Sequence, residues 1–285
     1  MFDAASESVR KLPLFPFVRS VYRRFRTATP RHPLQEMKTV GGYPLKRLGT
    51  DYGGWTFVDD ANLYGSTIVS AGLGEDASFD VEFARQYDAK VIIVDPTPRA
   101  IAHFNALMAE IGNGKRRNYV SGGKQPVAAY DLRGLSPANF TLVSKALWNT
   151  RGTLKFFEPA NSTHVSYSIV NYQQDYGQDS KYLEVESITV AELLELTGLD
   201  RGLKLLKLDI EGAEVEVISE LLDGHLRPNQ ILVEFDELNV PSRKAFDRID
   251  FVDSKLKAHG YKCIYTDGQA DFLYVRSADE GAPSQ

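Results

Sequence analysis

Cysteine is almost missing from this chain: Cys263 stands alone among 285 residues. One cysteine excludes an internal disulfide framework and suits a reducing compartment. Long apolar runs are missing too, so no segment has the length to cross a bilayer as a helix. Leu12 to Val18 is short, is interrupted by Pro13 and Pro16, and is followed by arginines rather than by small residues, which makes it a poor secretory signal. There is no basic excess. Lys and Arg number 33 against 38 Asp and Glu, and the net charge of -5 removes the general electrostatic reason to expect nucleic acid as a partner. No internal repeat is visible. These absences together predict a cytoplasmic protein. What is present is ordinary for a globular chain, at 43% hydrophobic and 25% charged residues, with enough length for one large domain or two small ones.

Residues 10 to 31 mix basic and apolar side chains, a composition that predicts at most a weak contact with an anionic membrane surface. Residues 32 to 66 are rich in Gly, Pro and Tyr and read as an irregular approach to a core, with Trp55, Phe57 and Tyr64 packing on its edge. The chain therefore divides into a basic, irregular segment over 1–60, a folded domain over 61–276, and a small polar tail over 277–285 that is expected to be disordered.

The first regular unit is Thr67 to Val94. TIVSA (67 to 71) is a buried-strand pattern, Gly72-Leu73-Gly74 follows, Ser78 to Tyr87 has helical spacing, and KVIIV (90 to 94) is a second strand ending at Asp95. Thr97 and Pro98 are a good N-cap and first residue for a helix from Arg99 to about Met108. Strand, glycines, helix, strand and acid in this order form a mononucleotide-binding half. The glycines let a ligand approach the backbone, and an acid about 20 residues on accepts hydrogen bonds from ribose hydroxyls. Glu75 and Asp76 stand where a diphosphate would lie, and like charges there oppose it. A cationic nucleoside without phosphate, S-adenosylmethionine, suits them better.

Farther on, Phe140 to Leu147 reads as a third strand, and Thr153 to Phe157 returns from a turn as its hairpin partner. Glu158 to Gln178 is a polar loop containing His164. Tyr182 to Thr189 is extended, and Val190 to Leu196 is a short helix ending at Gly198. LKLLKLDIEGAEVEVI (203 to 218) is the central stretch. An apolar strand ends at Asp209, Glu211 and Gly212 make a tight turn, and a helix follows with Val215, Ile218 and Leu222 on one stripe. Open α/β sheets place their chemistry at such strand ends. QILVEF (230 to 235) is another buried strand with Glu234 inside it and Asp236 and Glu237 beyond. Arg243 to His259 is an amphipathic helix closed by Gly260. Tyr261 to Tyr265 and Asp271 to Val275 form a last hairpin.

The residues Asp209, Glu211, Gly212, Ala213 and Glu214, after an apolar strand, resemble the signature of FkbM-type methyltransferases. GLGEDASFD (72 to 80) and VDPTP (94 to 98) look like that family's cofactor motifs, and VEFDEL (233 to 238) resembles its next strand end. The resemblance covers about residues 50 to 276. It implies a Rossmann-like class I α/β fold, a seven-stranded and mostly parallel sheet with an antiparallel terminal hairpin. It also implies S-adenosylmethionine as cofactor and methylation of hydroxyl oxygens, on sugars, glycans or natural products. By the same resemblance Gly72, Gly74, Asp76, Ser78 and Phe79 line the cofactor, as do Asp95, Pro96 and Thr97. Ala146, Leu147 and Trp148 border its adenine, and Asp209 sits near the reactive methyl. One departure is Ser70, where many methyltransferases carry an acid; Asp76 or Asp80 is then the candidate partner of the cofactor's ammonium.

Methyl transfer to an alcohol needs an aligned oxygen and a group that takes its proton. The candidates are Asp209, Glu211, His164 and Asp236, with Glu234 beside them. These acids would serve as base, or as ligands of a magnesium ion that also grips sugar hydroxyls. Two alternatives stand next to this reading. One is an NAD-dependent oxidoreductase on the glycine pattern, and the other is a binding module that keeps the fold without turnover.

Overall fold

The computed structural model describes residues 30–113, 117–157, 182–199 and 202–277. The first strands among the described residues form a hairpin of β1 (Leu45–Leu48) and β2 (Trp55–Val58). Next come β3 (Thr67–Ala71), helix α1 (Ser78–Tyr87), β4 (Lys90–Val94), helix α2 (Pro98–Ala109) and β5 (Phe140–Val143). Three short strands follow, β6 (Ala146–Leu147), β7 (Gly152–Phe157) and β8 (Tyr182–Ile188), then α3 (Val190–Thr197). The chain continues through β9 (Leu205–Leu208), α4 (Glu214–Asp223), β10 (Gln230–Glu234), α5 (Arg243–Ala258), β11 (Tyr261–Thr266) and β12 (Asp271–Arg276).

Among the described residues, a seven-stranded sheet in the order β11-β12-β10-β9-β3-β4-β5 carries the fold. Its strands from β10 to β5 are parallel and β12 runs antiparallel against β10, as in Rossmann-like methyltransferases. Side-chain alternation along the strands gives each face its own core. Val69, Ile92, Leu206 and Ile231 point to one face and pack against Leu193, Ile218 and Val252 of α3, α4 and α5. Ile68, Val91, Leu205, Leu232 and Leu273 point to the other and pack against Phe79 and Phe83 of α1 and Leu107 of α2. The hydrophobic stripe expected on the 213–222 helix is there, and Thr97 caps α2 by accepting from Ala100 N.

Two expectations change. Residues 32 to 66 are not simply irregular, because the β1–β2 hairpin belongs to the second core. Phe57 is fully buried edge-on to Phe79 and Tyr87. Truncating such a ring typically costs about 3–5 kcal/mol. The Gln230 side chain clamps the hairpin, with Val58 N donating to Oε1 at 2.8 Å and Nε2 donating to Val58 O at 2.9 Å.

The second change concerns 140 to 157. The strand does not run through to Leu147 and does not form a hairpin with 153 to 157. It stops at Val143, where Lys145 N turns back to Val143 O at 2.8 Å. Ala146 and Leu147 then join a separate sheet, parallel to β8, while β7 pairs antiparallel with β8. At the sheet edge β5 pairs, among the described residues, with β4 alone, and its ladder ends with β4 at Val143. No described helix is long and apolar enough to cross a membrane. Most of the basic stretch 10 to 31, and the tail beyond Ser277, lie outside the described residues.

Candidate active site

A cavity of about 930 Å³ opens at the carboxyl ends of β3, β4, β9 and β10. Two motifs meet at its floor. Gly72 has φ +84, and a β-carbon there would stand 1.8 Å from the carbonyl oxygen of Asp209. Asp209 N in turn donates to Ala71 O at 3.1 Å. Only glycine allows this contact, so the glycine turn and the Asp209 strand end are one construction. Gly74 differs. Its φ is +56, but a β-carbon there would meet nothing within 4 Å, and the space above it is cavity.

Asp95 ties this turn together. Oδ2 accepts from Leu73 N at 2.9 Å and Gly74 N at 3.1 Å. Oδ1 accepts from Thr97 N at 2.8 Å and from the Thr97 hydroxyl at 2.7 Å. All four acceptor positions of the carboxylate are thus in use. Pro96 and Thr97 line the cavity beside it, and Ala146, Leu147 and Phe156 form an apolar wall.

The acids after the glycines are not bare. Glu75 Oε2 lies 3.0 Å from Lys124 Nζ and 3.9 Å from Arg99. Asp76 accepts from the Thr50 hydroxyl at 2.7 Å and from Ser78 N at 2.9 Å. Ser78 is fully buried, and its hydroxyl accepts from Thr50 N at 2.9 Å. The loop between β1 and β2 is therefore stapled onto the start of α1, and it carries Tyr52 over the cavity against Gly123.

The second face of the sheet turns polar where it meets the cavity. Ser70, Lys207, Glu234 and Asp271 continue the rows of Ile68, Leu205, Leu232 and Leu273. Lys207 is a residue whose role the sequence left open. It is 3% exposed, and its Nζ donates to Gly72 O at 2.6 Å and Ala71 O at 3.3 Å, with Asp209 Oδ2 at 3.5 Å and the Trp55 ring below. It holds the glycine turn from beneath and orients Asp209. Glu234 and Asp271 are cross-strand partners. Burial, helped by the charges of Asp209, Asp271 and Glu211, raises Glu234 well above the carboxylate range. Burial, then Asp267 and Asp209, pushes Asp271 up to about 7.

The turn after Asp209 is held by Glu214, which is buried and accepts from Ile210 N at 2.8 Å and Gly212 N at 3.0 Å. Glu211 takes φ +55 there and lines the cavity. Among the expected site residues, Gly72, Gly74, Asp76, Asp95, Pro96, Thr97, Ala146, Leu147, Asp209 and Glu211 line this one cavity. Ser78, Phe79, Trp148 and Asp236 do not. Phe79 is core, and Trp148 packs on the first face of the sheet. Asp236 follows the end of β10 in a tight turn, where strand alternation stops, and it accepts from Asn239 Nδ2 at 2.9 Å. Glu234 is the acid that β10 presents instead. His164 lies outside the described residues.

The family model for the FkbM methyltransferase domain matches residues 66–263. This chain belongs to the FkbM methyltransferase family. No curated protein and no solved structure matches it. The matched span holds the glycine turn, Asp95, Lys207, Asp209 and Glu234, all of which line the cavity. Methyltransferases of this family generally use S-adenosylmethionine. The described residues fit that group. The wall beside Asp95 is apolar, the space over Gly74 is open, and the cations Lys124 and Arg99 are drawn to Glu75 rather than held for a pyrophosphate. Among the described residues no three of His, Cys, Asp or Glu group as metal ligands, and Lys207 stands beside Asp209.

Proposed function

We propose that this FkbM methyltransferase uses S-adenosylmethionine to methylate a hydroxyl oxygen of a sugar, glycan or related natural product. The observation that carries the reading is the convergence of the glycine turn, Asp95 and Asp209 on one cavity. Its volume of about 930 Å³ lies at the upper end of ligand pockets and has room for a nucleoside cofactor with an acceptor beside it. When bound, the cofactor supplies an electrophilic methyl on a sulfonium.

The chain's residues do the rest. The backbone at Gly74 takes the cofactor's close approach, Asp95 the ribose, and Ala146, Leu147 and Phe156 the adenine. Asp209, oriented by Lys207, receives the proton of the acceptor hydroxyl as its oxygen is methylated. Glu234, protonated at neutral pH, donates a hydrogen bond to a neighbouring acceptor oxygen. Tyr52 lines the cavity beside Gly123. Holding an oxygen in line is worth up to roughly 7–11 kcal/mol in good intramolecular models, and a positioned base contributes about 10²–10⁴-fold. The acceptor is a small molecule or glycan rather than nucleic acid, and the setting is cytoplasmic, with a weak membrane-surface contact through the basic N-terminal segment.

Calorimetric titration with S-adenosylhomocysteine, with NAD as control, tests the cofactor. Micromolar binding of the first alone supports the reading, and binding of NAD alone overturns it. Transfer of labelled methyl to a panel of sugars, with a protein and an RNA as controls, then tests the acceptor. Labelling of the protein or RNA alone would overturn the hydroxyl assignment.

A further inference from the structure

One aromatic ring at the cavity mouth is firmly held and left uncovered. Tyr52 lines the cavity and is 66% exposed, whereas Trp55 and Phe57 of the same hairpin are buried. Its loop is fixed at several points. Gly49 N donates to Glu82 Oε2 at 3.1 Å, and Arg47 Nη2 donates to the carbonyls of Thr50 and Asp51 at 3.1 Å each. Gly53 N donates to the Thr50 hydroxyl at 2.8 Å, and a β-carbon on Gly53 would stand 2.8 Å from the Asp76 carboxyl carbon. A β-carbon on Gly123 would stand 2.5 Å from the Tyr52 ring, so the ring rests on bare backbone there.

The hydroxyl end of this ring faces the chemistry. Desolvation in the cavity mouth, then the charges of Asp209, Glu211, Glu234 and Asp76, raises the Tyr52 phenol above its ordinary value. Asp209 and Glu211 follow β9 and Glu234 ends β10, across β3 from the strands that lead to the adenine wall. Tyr52 thus borders the part of the cavity left for an acceptor. It also stands outside the matched span of 66–263, as does the 267–270 turn that lines the same cavity.

The lining selects by charge as well. Among the described residues four basic side chains line the cavity, and each is engaged. Arg31 and Arg47 donate to backbone carbonyls, Lys145 pairs with Glu186 at 2.6 Å, and Lys207 donates to Gly72 O. Asp51, Asp209, Glu211 and Asp267 add negative charge to the same lining. A phosphate or carboxylate on the acceptor would meet like charge there. A neutral sugar ring matches what is offered. Its C–H face is apolar and its edge carries hydroxyls, while Tyr52 presents an aromatic face and the strand ends present carboxyl groups.

We propose that the acceptor is a neutral glycoside whose ring stacks on Tyr52 while its hydroxyl edge reaches Asp209 and Glu234. The proposal rests on the reading above that this cavity methylates a hydroxyl.

The test follows transfer of labelled methyl from S-adenosylmethionine by the full chain. The acceptors are the methyl glycosides of glucose, galactose and mannose, the corresponding uronic acids, the nucleoside diphosphate forms of the same sugars, and catechol. The neutral glycosides are expected to exceed the charged forms about tenfold or more in kcat/KM, since like charges in contact are costly. Tyr52→Ala is expected to raise KM for the best glycoside about tenfold with kcat little changed. Tyr52→Phe keeps the ring and should recover most of that loss. S-adenosylhomocysteine affinity, measured by calorimetry, should stay unchanged in both variants. A preference for a charged form would overturn the proposal, as would an unchanged KM in Tyr52→Ala. A matching loss of S-adenosylhomocysteine affinity would assign Tyr52 to the cofactor and overturn it too. Labelling of catechol alone would leave the hydroxyl reading standing and remove the glycoside. Transfer to no hydroxyl acceptor would sink both together.

Discussion

The carbonyl of Asp209 packs onto the bare Cα of Gly72, so closely that a β-carbon there would lie 1.8 Å from its oxygen. The residue expected to act on the acceptor is thereby set against the residue that opens the cofactor turn. Lys207 closes the same unit by donating to Gly72 O and approaching Asp209.

Gly72→Ala and Gly74→Ala are expected to separate fold from ligand. Both positions have positive φ, worth about 1–2 kcal/mol of strain for a side chain. Only Gly72→Ala adds the collision with Asp209. Its melting temperature should fall well beyond the roughly 2–4 °C per kcal/mol that strain alone would give. Gly74→Ala should lose only the melting temperature that strain accounts for, but it should also lose S-adenosylhomocysteine affinity, since its methyl enters the cavity. The reverse order in thermal melts would refute this account of the turn.

Asp95→Ala should weaken both stability and cofactor binding. The N–H groups of Leu73, Gly74 and Thr97 lose their acceptor, and for the buried Leu73 N–H that loss costs about 1–3 kcal/mol. Asp95→Asn keeps one carbonyl acceptor and should fall between. Urea midpoints with and without S-adenosylhomocysteine separate the two effects; an Asp95→Ala protein of unchanged affinity would sink the ribose assignment.

Asp209→Asn should reduce kcat by about 10²–10⁴-fold, the usual contribution of a positioned base, with little change in melting. Glu234→Gln keeps a hydrogen-bond donor and should retain kcat within about tenfold. Losses of equal size in single-turnover methyl transfer would remove the distinction drawn between these two acids.

Glu234→Gln should also change the pH dependence of stability. Glu234 is raised by burial and Asp271 is raised to about 7. Their unfolded values lie near 4. The folded state therefore binds more protons than the unfolded state above that pH, so this contribution is complete below about pH 4 and is lost as pH rises through each folded value. At pH 8 the variant should exceed the wild type by at least about 1 kcal/mol, or roughly 2–4 °C. Melts at pH 5 and pH 8 check the sign, and a variant less stable than the wild type at pH 8 would contradict it.

By itself the sequence determined most of the elements and the chemistry at the strand ends. The runs 67–71, 90–94 and 230–235, the helix pattern of 78–87, and the Thr97 cap are local signals, and the local backbone obeyed them. The Gly72–Asp95 and Asp209–Glu214 motifs were legible for the same reason. The tertiary structure decided which side chains reach the cavity. Whether Glu234 or Asp236 faces it depends on where β10 ends, because alternation stops with the ladder. Whether Lys207 snorkels to water or turns under the glycines depends on β3, its neighbour only in space. The hairpin that brings Trp55 and Tyr52 to the site is fastened by Gln230, far along the chain. Periodicity carries information over a few residues, whereas burial and pairing across a sheet join residues a hundred or more apart.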